Sequence, residues 1–107
     1  ACDALYIPTD NTAASCTETI NGVVAPKKVP IIAGEAGICS GCGIATLSIS
    51  YEELGKTTGE MAAKILKGEA DIAEMAIEYD NNPVKKYNKT LCDELGINVP
   101  EGYEPLS

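Results

Sequence analysis

Two carboxylates, two hydroxyls and an amide are the side chains best placed to do chemistry in this sequence. Four of them form one run, Thr9-Asp10-Asn11-Thr12, directly after Pro8. The run follows a short apolar stretch and opens a helical pattern, where the first backbone N–H groups of a helix lack partners and favour an anion. Acceptors for an ammonium and donors for a carboxylate in one place suit a zwitterionic ligand. Asp10 or Asn11 suits equally well the task of capping its own helix. The second carboxylate, Glu35, lies between Gly34 and Ala36 after another apolar run. It is placed to accept hydrogen bonds from a ligand ammonium or hydroxyl, or to stand solvated in its loop. Asp10 and Glu35 match an acid–base pair in type only. No nucleophile, metal cage or phosphate-binding loop accompanies them, which argues against hydrolysis.

Cys39-Ser40-Gly41-Cys42 has the CxxC spacing of a redox dithiol or of half a zinc site. A redox pair draws its low thiol pKa from a helix N-terminus, whereas this pair runs into Gly43 and an apolar strand. Zinc would need two more ligands. The chain has no His, and Cys2, Cys16, Cys92 and the carboxylates lack paired spacing. The residues therefore predict no metal, no cofactor and no catalytic residue. Incidental thiols are the first reading, with a redox-sensitive pair or a metal pair left open. Gly41-x-Gly43 lacks the third glycine and the helix opening of a dinucleotide fingerprint.

Sixteen acidic residues against eight basic ones give a net charge of −8, which repels phosphate backbones, so nucleic acid is excluded as a partner. Every basic residue is Lys, so the chain has neither a bidentate guanidinium clamp nor an imidazole base. With 107 residues there is room for one small domain, and without Trp or Phe its core must be aliphatic. No stretch approaches a membrane span. Cys2 stands where an acylated lipoprotein has its cysteine, although a strand pattern begins too soon after it to leave a tether.

The elements that must hold these residues follow from periodicity. Ala4-Leu5-Tyr6-Ile7 and Val29-Pro30-Ile31-Ile32-Ala33 read as buried strands, and residues 10–24 between them as one helix. Gly34 to Gly43, with four glycines, reads as a long glycine-rich loop, functional or hinge-like, with no room for a crossover helix of normal length. Ile44 to Ile49 reads as a third strand. Ser50-x-x-Glu53 then has capping-box spacing for a helix over 51–67 that ends at Gly68. Further strands are predicted at Met75 to Tyr79 and Val84 to Tyr87, separated by an Asp80-Asn81-Asn82-Pro83 turn. Asn88 caps a last short helix, and a tail from Ile97 is expected to be poorly ordered at its end. The alternation predicts an α/β fold, a mostly parallel sheet flanked by helices. Ligands of such sheets lie outside the carboxyl ends of strands, where Thr9 to Thr12, Gly34 to Gly37 and Ser48 to Ser50 fall.

Three segments in order resemble one family: Asp3-Ala4-Leu5-Tyr6-Ile7-Pro8-Thr9-Asp10-Asn11-Thr12, then Val29-Pro30-Ile31-Ile32-Ala33-Gly34-Glu35, then Tyr51-x-x-Leu54-Gly55-x-x-x-Gly59-x-Met61-Ala62-Ala63-Lys64-Ile65-Leu66-Lys67-Gly68-Glu69. From about Asp3 to Pro100 the chain resembles the C-terminal part of a type I ABC-transporter substrate-binding protein, close to the bacterial subfamily for aromatic or other amino acids. The resemblance implies a type I periplasmic-binding-protein-like fold of two lobes, with residues 1–107 a fragment of the C-terminal lobe. It also implies chain crossings between lobes near 42–46 and 70–77, which would assign the helix over 51–67 to the missing N-terminal lobe. Left alone, that helix folds back or exchanges with a second copy in a homodimer.

By the same resemblance a small solute, with an amino acid favoured, is held in the interlobe cleft by Thr9, Asp10, Asn11, Thr12 and Glu35. The implied partner is an ABC permease, and the implied location is extracytoplasmic, in the periplasm or on a cell-surface lipoprotein. Cys39 and Cys42 depart from the small or aliphatic residues usual there, so the resemblance implies no thiol role. Two alternatives are the effector domain of a transcription regulator, which shares the fold, and a CxxC redox enzyme.

Overall fold

The structure, a computed structural model, describes residues 2–107. It divides into two units, one running up to Ser48 and resuming at Val84–Ser107, the other Ile49–Pro83.

The first unit is built on a five-stranded sheet of β1 (Leu5–Ile7), β2 (Ile31–Ala33), β3 (Ala45–Ser48), β4 (Val84–Tyr87) and β5 (Glu104–Pro105), in that spatial order. Three of the four pairings are parallel and β3 with β4 is antiparallel, so the sheet is mostly parallel, flanked by helices. Between β1 and β2 run α1 (Asn11–Ser15), α2 (Thr17–Val24) and a 3-10 turn at Ala25–Lys27. Between β2 and β3 runs α3 (Ala36–Gly41), and α5 (Lys89–Leu95) follows β4.

Register decides which side chains meet. Leu5 pairs with Ile31 and Ile7 with Ala33, so all four share a face, because side chains alternate along a strand. Ile31 and Ala33 are buried there with Ile38, Cys39 and Cys42 of the α3 region, and Ala13, Ile20 and Val24 of α1 and α2 close over them. A second cluster of Ile44, Leu91 and Cys92 packs with Ala45, Tyr87, Leu95, Ile97 and Val99. Gly43 is needed where α3 turns into β3, since a Cβ there would lie 2.9 Å from the Cα of Cys39 and 3.0 Å from the Cβ of Ala33.

Four expectations from sequence are corrected. The single helix over 10–24 breaks at Cys16, whose backbone (φ −121°, ψ 18°) leaves the helical region. The glycine-rich segment does hold a helix, α3, six residues long. Its small residues let it lie close against its neighbours, and Gly41 fits against Thr17 of α2 with no room for a side chain. Met75 to Tyr79 forms no strand. With Ile77 and Tyr79 mostly exposed, the run finds no core, and β4 is the strand beside β3. The tail is ordered by pairing: β5 adds to β4, Lys86 Nζ bridges to Glu104 at 2.8 Å, and Leu106 packs on the first cluster.

The second unit holds α4 (Tyr51–Leu66), the longest helix. Ser50 caps it by accepting from Glu53 N at 3.2 Å. Glu53 does not reach back to complete the box and pairs with Lys56 at 2.6 Å. At the other end Gly68 adopts φ 72°, and Glu69 N donates to Lys64 O at 2.9 Å, a left-handed C-cap. No residue of α4 is buried.

Candidate functional site

The site is formed where β1 and β2 end side by side. Gly34 N donates to Ile7 O at 2.7 Å, continuing the β1–β2 ladder one step past the strands. A Cβ on Gly34 would lie 2.8 Å from Thr9 N and 2.9 Å from the Pro8 carbonyl carbon. Only glycine permits this backbone-to-backbone approach, and it holds the loop of Thr9–Asp10 against that of Gly34–Glu35. Thr9 Oγ1 reaches Gly34 O at 3.5 Å. The five residues singled out from sequence, Thr9, Asp10, Asn11, Thr12 and Glu35, therefore share one end of the sheet.

Both carboxylates are helix caps. Asp10 has extended backbone and Oδ1 accepts from Ala13 N at 2.7 Å; Glu35 accepts from Gly37 N at 2.8 Å and from Ile38 N. Each answers the orphan donors of its own short helix; for Asp10 this is the capping role the sequence offered, whereas Glu35, read from sequence as a ligand acceptor or a solvated loop acid, caps α3. Glu35 is half-buried and turned toward α3. Thr9, Asp10, Asn11 and Thr12 are exposed. Among the described residues the second Asp10 oxygen and the side chains of Asn11 and Thr12 have no hydrogen-bond partner. The arrangement offers an acceptor, an amide and hydroxyls to a small polar molecule, with its two carboxylates engaged on backbone N–H groups and not set against each other for proton transfer. The approach of the two loops at Gly34 was missed in the sequence. Its only trace there is a glycine placed immediately after a buried strand.

The CxxC cysteines are not part of this surface. Cys39, Cys42 and Cys92 are buried, and their thiols reach backbone carbonyls of Gly43, Ile38 and Ile44 at 3.6, 3.5 and 3.5 Å. Burial first, then the neighbouring Cys92 and Cys42, pushes the Cys39 thiol up to about 12, and burial raises Cys42 and Cys92 as well. Cys39 and Cys42 stand at the C-terminal end of α3. There the helix dipole opposes a thiolate, the reverse of an activated redox pair. Among the described residues no three Cys, Asp or Glu side chains gather to hold a metal ion, and no helix is long and apolar enough to cross a membrane.

In open α/β sheets ligands lie outside the carboxyl ends of the strands, which is where the Thr9–Thr12 and Gly34–Glu35 loops meet in this mostly parallel sheet. The family described as ABC transporter substrate binding protein matches residues 1–103, and the chain belongs to that family. A tyrosine-binding protein of Clostridioides difficile is 41% identical, covering 87% of this chain and 30% of that protein. Among solved structures, the ligand-free, open form of a Clostridium difficile substrate-binding protein with adhesive properties superposes with a TM-score of 0.75 at 33% identity, over 96% of this chain and 35% of its own. A Streptococcus pneumonia ABC domain in complex with L-Trp gives 0.78 at 33% identity, over 92% of this chain and 33% of its own. A conserved domain protein of Vibrio cholerae gives 0.81 at 26% identity, over 96% and 36%. The chain thus spans about a third of the length of the proteins it matches.

Proposed function

We propose that this chain forms one wall of an amino-acid-binding cleft in an extracytoplasmic solute-capture protein serving an ABC importer. The observation that carries the reading is the joining of the two strand-end loops at Gly34, which presents Thr9, Asp10, Asn11 and Thr12 together beside the Glu35-capped helix. Support for an aromatic amino acid comes from the relatives named for tyrosine and solved with L-Trp. With no Arg in the chain, this wall would meet a ligand carboxylate through hydroxyl and amide donors, and a ligand ammonium through the open oxygen of Asp10. In this reading the unit of Ile49–Pro83 belongs with the other lobe, and closure of the lobes creates the form a permease recognises.

The test is thermal unfolding of the two-lobe protein with L-tyrosine, L-tryptophan and a panel of other amino acids and sugars. Ligand at 100 times its Kd stabilises by about 2.7 kcal/mol, so a clear rise in Tm is expected with an aromatic amino acid. Asn11→Ala removes that rise while leaving the unliganded Tm in place, because the Asn11 side chain caps nothing. Asp10→Ala also lowers the unliganded Tm, through loss of a cap worth about 1 kcal/mol. Indifference of the wild-type protein to every amino acid overturns the proposal, and a response to sugars alone redirects it to the regulator reading.

A further inference from the structure

Helix α3 backs the site, and it is too short to hold itself. Glu35 caps its first turn, and Ala13 of α1 packs on the buried cluster to which Ile38 and Cys39 belong. Its six residues fall far below the about 12–15 at which an isolated helix is even marginal in water. Its far end also lacks a helical bond. Ile44 N, which would close the next turn onto Ser40 O, donates instead to Ile31 O at 2.7 Å as β3 begins. The carbonyl is met from 48 residues away: Asn88 Nδ2 donates to Ser40 O at 3.0 Å and to Cys39 O at 3.1 Å. Capping α5 does not use this amide nitrogen, because the cap is made by Oδ1 accepting from Leu91 N. The backbone of Asn88 is itself fixed to the sheet, its N–H donating to Ile44 O at 2.8 Å beside the paired Ala45 and Tyr87.

We propose that Asn88 is a positioning residue for the ligand site, acting through α3. What the site does is taken from the capture reading, on which this role rests; the tie itself is made of hydrogen bonds within the first unit. Glu35 holds one end of α3 at the site, and Asn88 holds the other end to the sheet. With both ends held, the helix keeps one orientation, the Gly34–Glu35 loop stays against Thr9, and Ala13 keeps α1 seated over Ile38. Without the Nδ2 bonds α3 pivots about its Glu35 cap. A smaller fraction of the ensemble then presents the loops in the arrangement a ligand needs.

The experiment is amide-resolved hydrogen exchange by NMR on the two-lobe protein, with calorimetric titration of L-tyrosine and L-tryptophan. Asn88→Ser keeps an oxygen that caps α5 and removes the amide that reaches α3. Exchange is expected to rise about tenfold at Ile38 and at Gly34, whose N–H joins the two site loops, and by less than about twofold at Leu91. A tie with only a structural role would loosen the nearby amides of Cys42 and Gly43 and stop there. The Kd for the amino acid bound by the wild-type protein should rise about 3–10-fold, measured well below Tm. Gly96→Ala, strained at φ 68° at the other end of α5, measures what general destabilisation does at these amides and leaves Kd unchanged. Asn88→Asp serves if Asn88→Ser does not fold: it keeps the cap and the shape but turns an oxygen toward the two carbonyls, with the same changes expected. No rise at Gly34 and Ile38 beyond that in Gly96→Ala overturns the proposal, as does a rise with an unchanged Kd. If the wild-type protein binds neither amino acid while exchange still rises at Gly34 and Ile38, the capture reading fails and the tie to the site loops stands.

Discussion

Among the described residues, every fully buried side chain lies in the unit that joins residues up to Ser48 with Val84–Ser107, and none in Ile49–Pro83, although the latter contains the longest helix. The first unit is held by what its elements do to one another: Ile31, Ile38 and Cys39 wholly enclosed, Gly34, Gly41 and Gly43 each at a close approach. The second is held by local devices: a Ser50 cap, a Gly68 C-cap, and Lys56 between Glu52 and Glu53. A helix cap contributes about 1 kcal/mol and exposed ion pairs are screened by solvent, whereas a fully buried aliphatic side chain contributes about 1.5–3 kcal/mol. The second unit is therefore expected to be the softer of the two.

The widest separation between the units should appear in paired glycine substitutions. Gly41→Ala drives a Cβ onto the side chain of Thr17. The Thr17 hydroxyl can rotate away, but its Cβ is fixed to α2 and also lies inside contact distance. The expected loss is about 2 kcal/mol, with amide exchange accelerated in α2 and α3. Gly59→Ala on α4 meets nothing within 4 Å and should gain about 0.5–1 kcal/mol from helix propensity, slowing exchange in α4 alone. Native-state hydrogen exchange resolves both. Equal acceleration in α4 on Gly41→Ala would make the two units one cooperative block and dissolve the comparison.

The same contrast explains what could be read from the sequence. Helix α4 was legible from Ser50 to Gly68 because everything that starts and stops it is local. The caps of α5, at Asn88 and Gly96, were legible for the same reason, and Asn88 accepts from Leu91 N at 3.2 Å. Helix α3 was not, because four glycines in ten residues argue against a helix unless neighbours approach closely enough to need them, and that closeness is a tertiary fact. Met75 to Tyr79 misled in the opposite sense, an apolar run without a surface to bury it. At the site, the residue types at Thr9–Thr12 and Glu35 were visible. The capping by Asp10 was visible as one of two options, and its union with Glu35 through Gly34 was hidden in the pairing of β1 with β2.

A smaller effect would sharpen the account of the buried unit. Thr46 pairs in register with Ala33 and is 1% exposed, and its Oγ1 has no hydrogen-bond partner among the described residues. A buried hydroxyl without a partner costs about 1–3 kcal/mol, and the isosteric Thr46→Val removes it without changing shape. An increase of about 1 kcal/mol in the urea-unfolding free energy is expected. A decrease would show that the hydroxyl has a partner in solution and that this part of the core is wet.

The smallest expected effect is confined to alkaline pH and to the unit that holds the buried thiols. The Cys39 thiol ordinarily ionises near 9.0 and in the fold is pushed to about 12, chiefly by burial. Between those values the unfolded chain has released the proton and the folded chain has not, so the folded state binds more protons and stability falls as pH rises. The contribution is fully present below about pH 9 and is lost progressively as pH rises toward 12. Tyr and Lys also titrate in this range, so the measurement is a difference: Tm from pH 7 to 10 for the wild-type chain against Cys39→Ala. The variant starts lower, because it leaves a small cavity beside Ile31, but it should show the shallower alkaline decline. At pH 8 a thiol reagent should modify the exposed Cys2 and Cys16 and spare Cys39, Cys42 and Cys92 until the first unit opens. Parallel declines in the two proteins, or rapid modification of all five thiols, would mean that the core around α3 opens as readily as the segment from Ile49 to Pro83, and the contrast between the units would not hold.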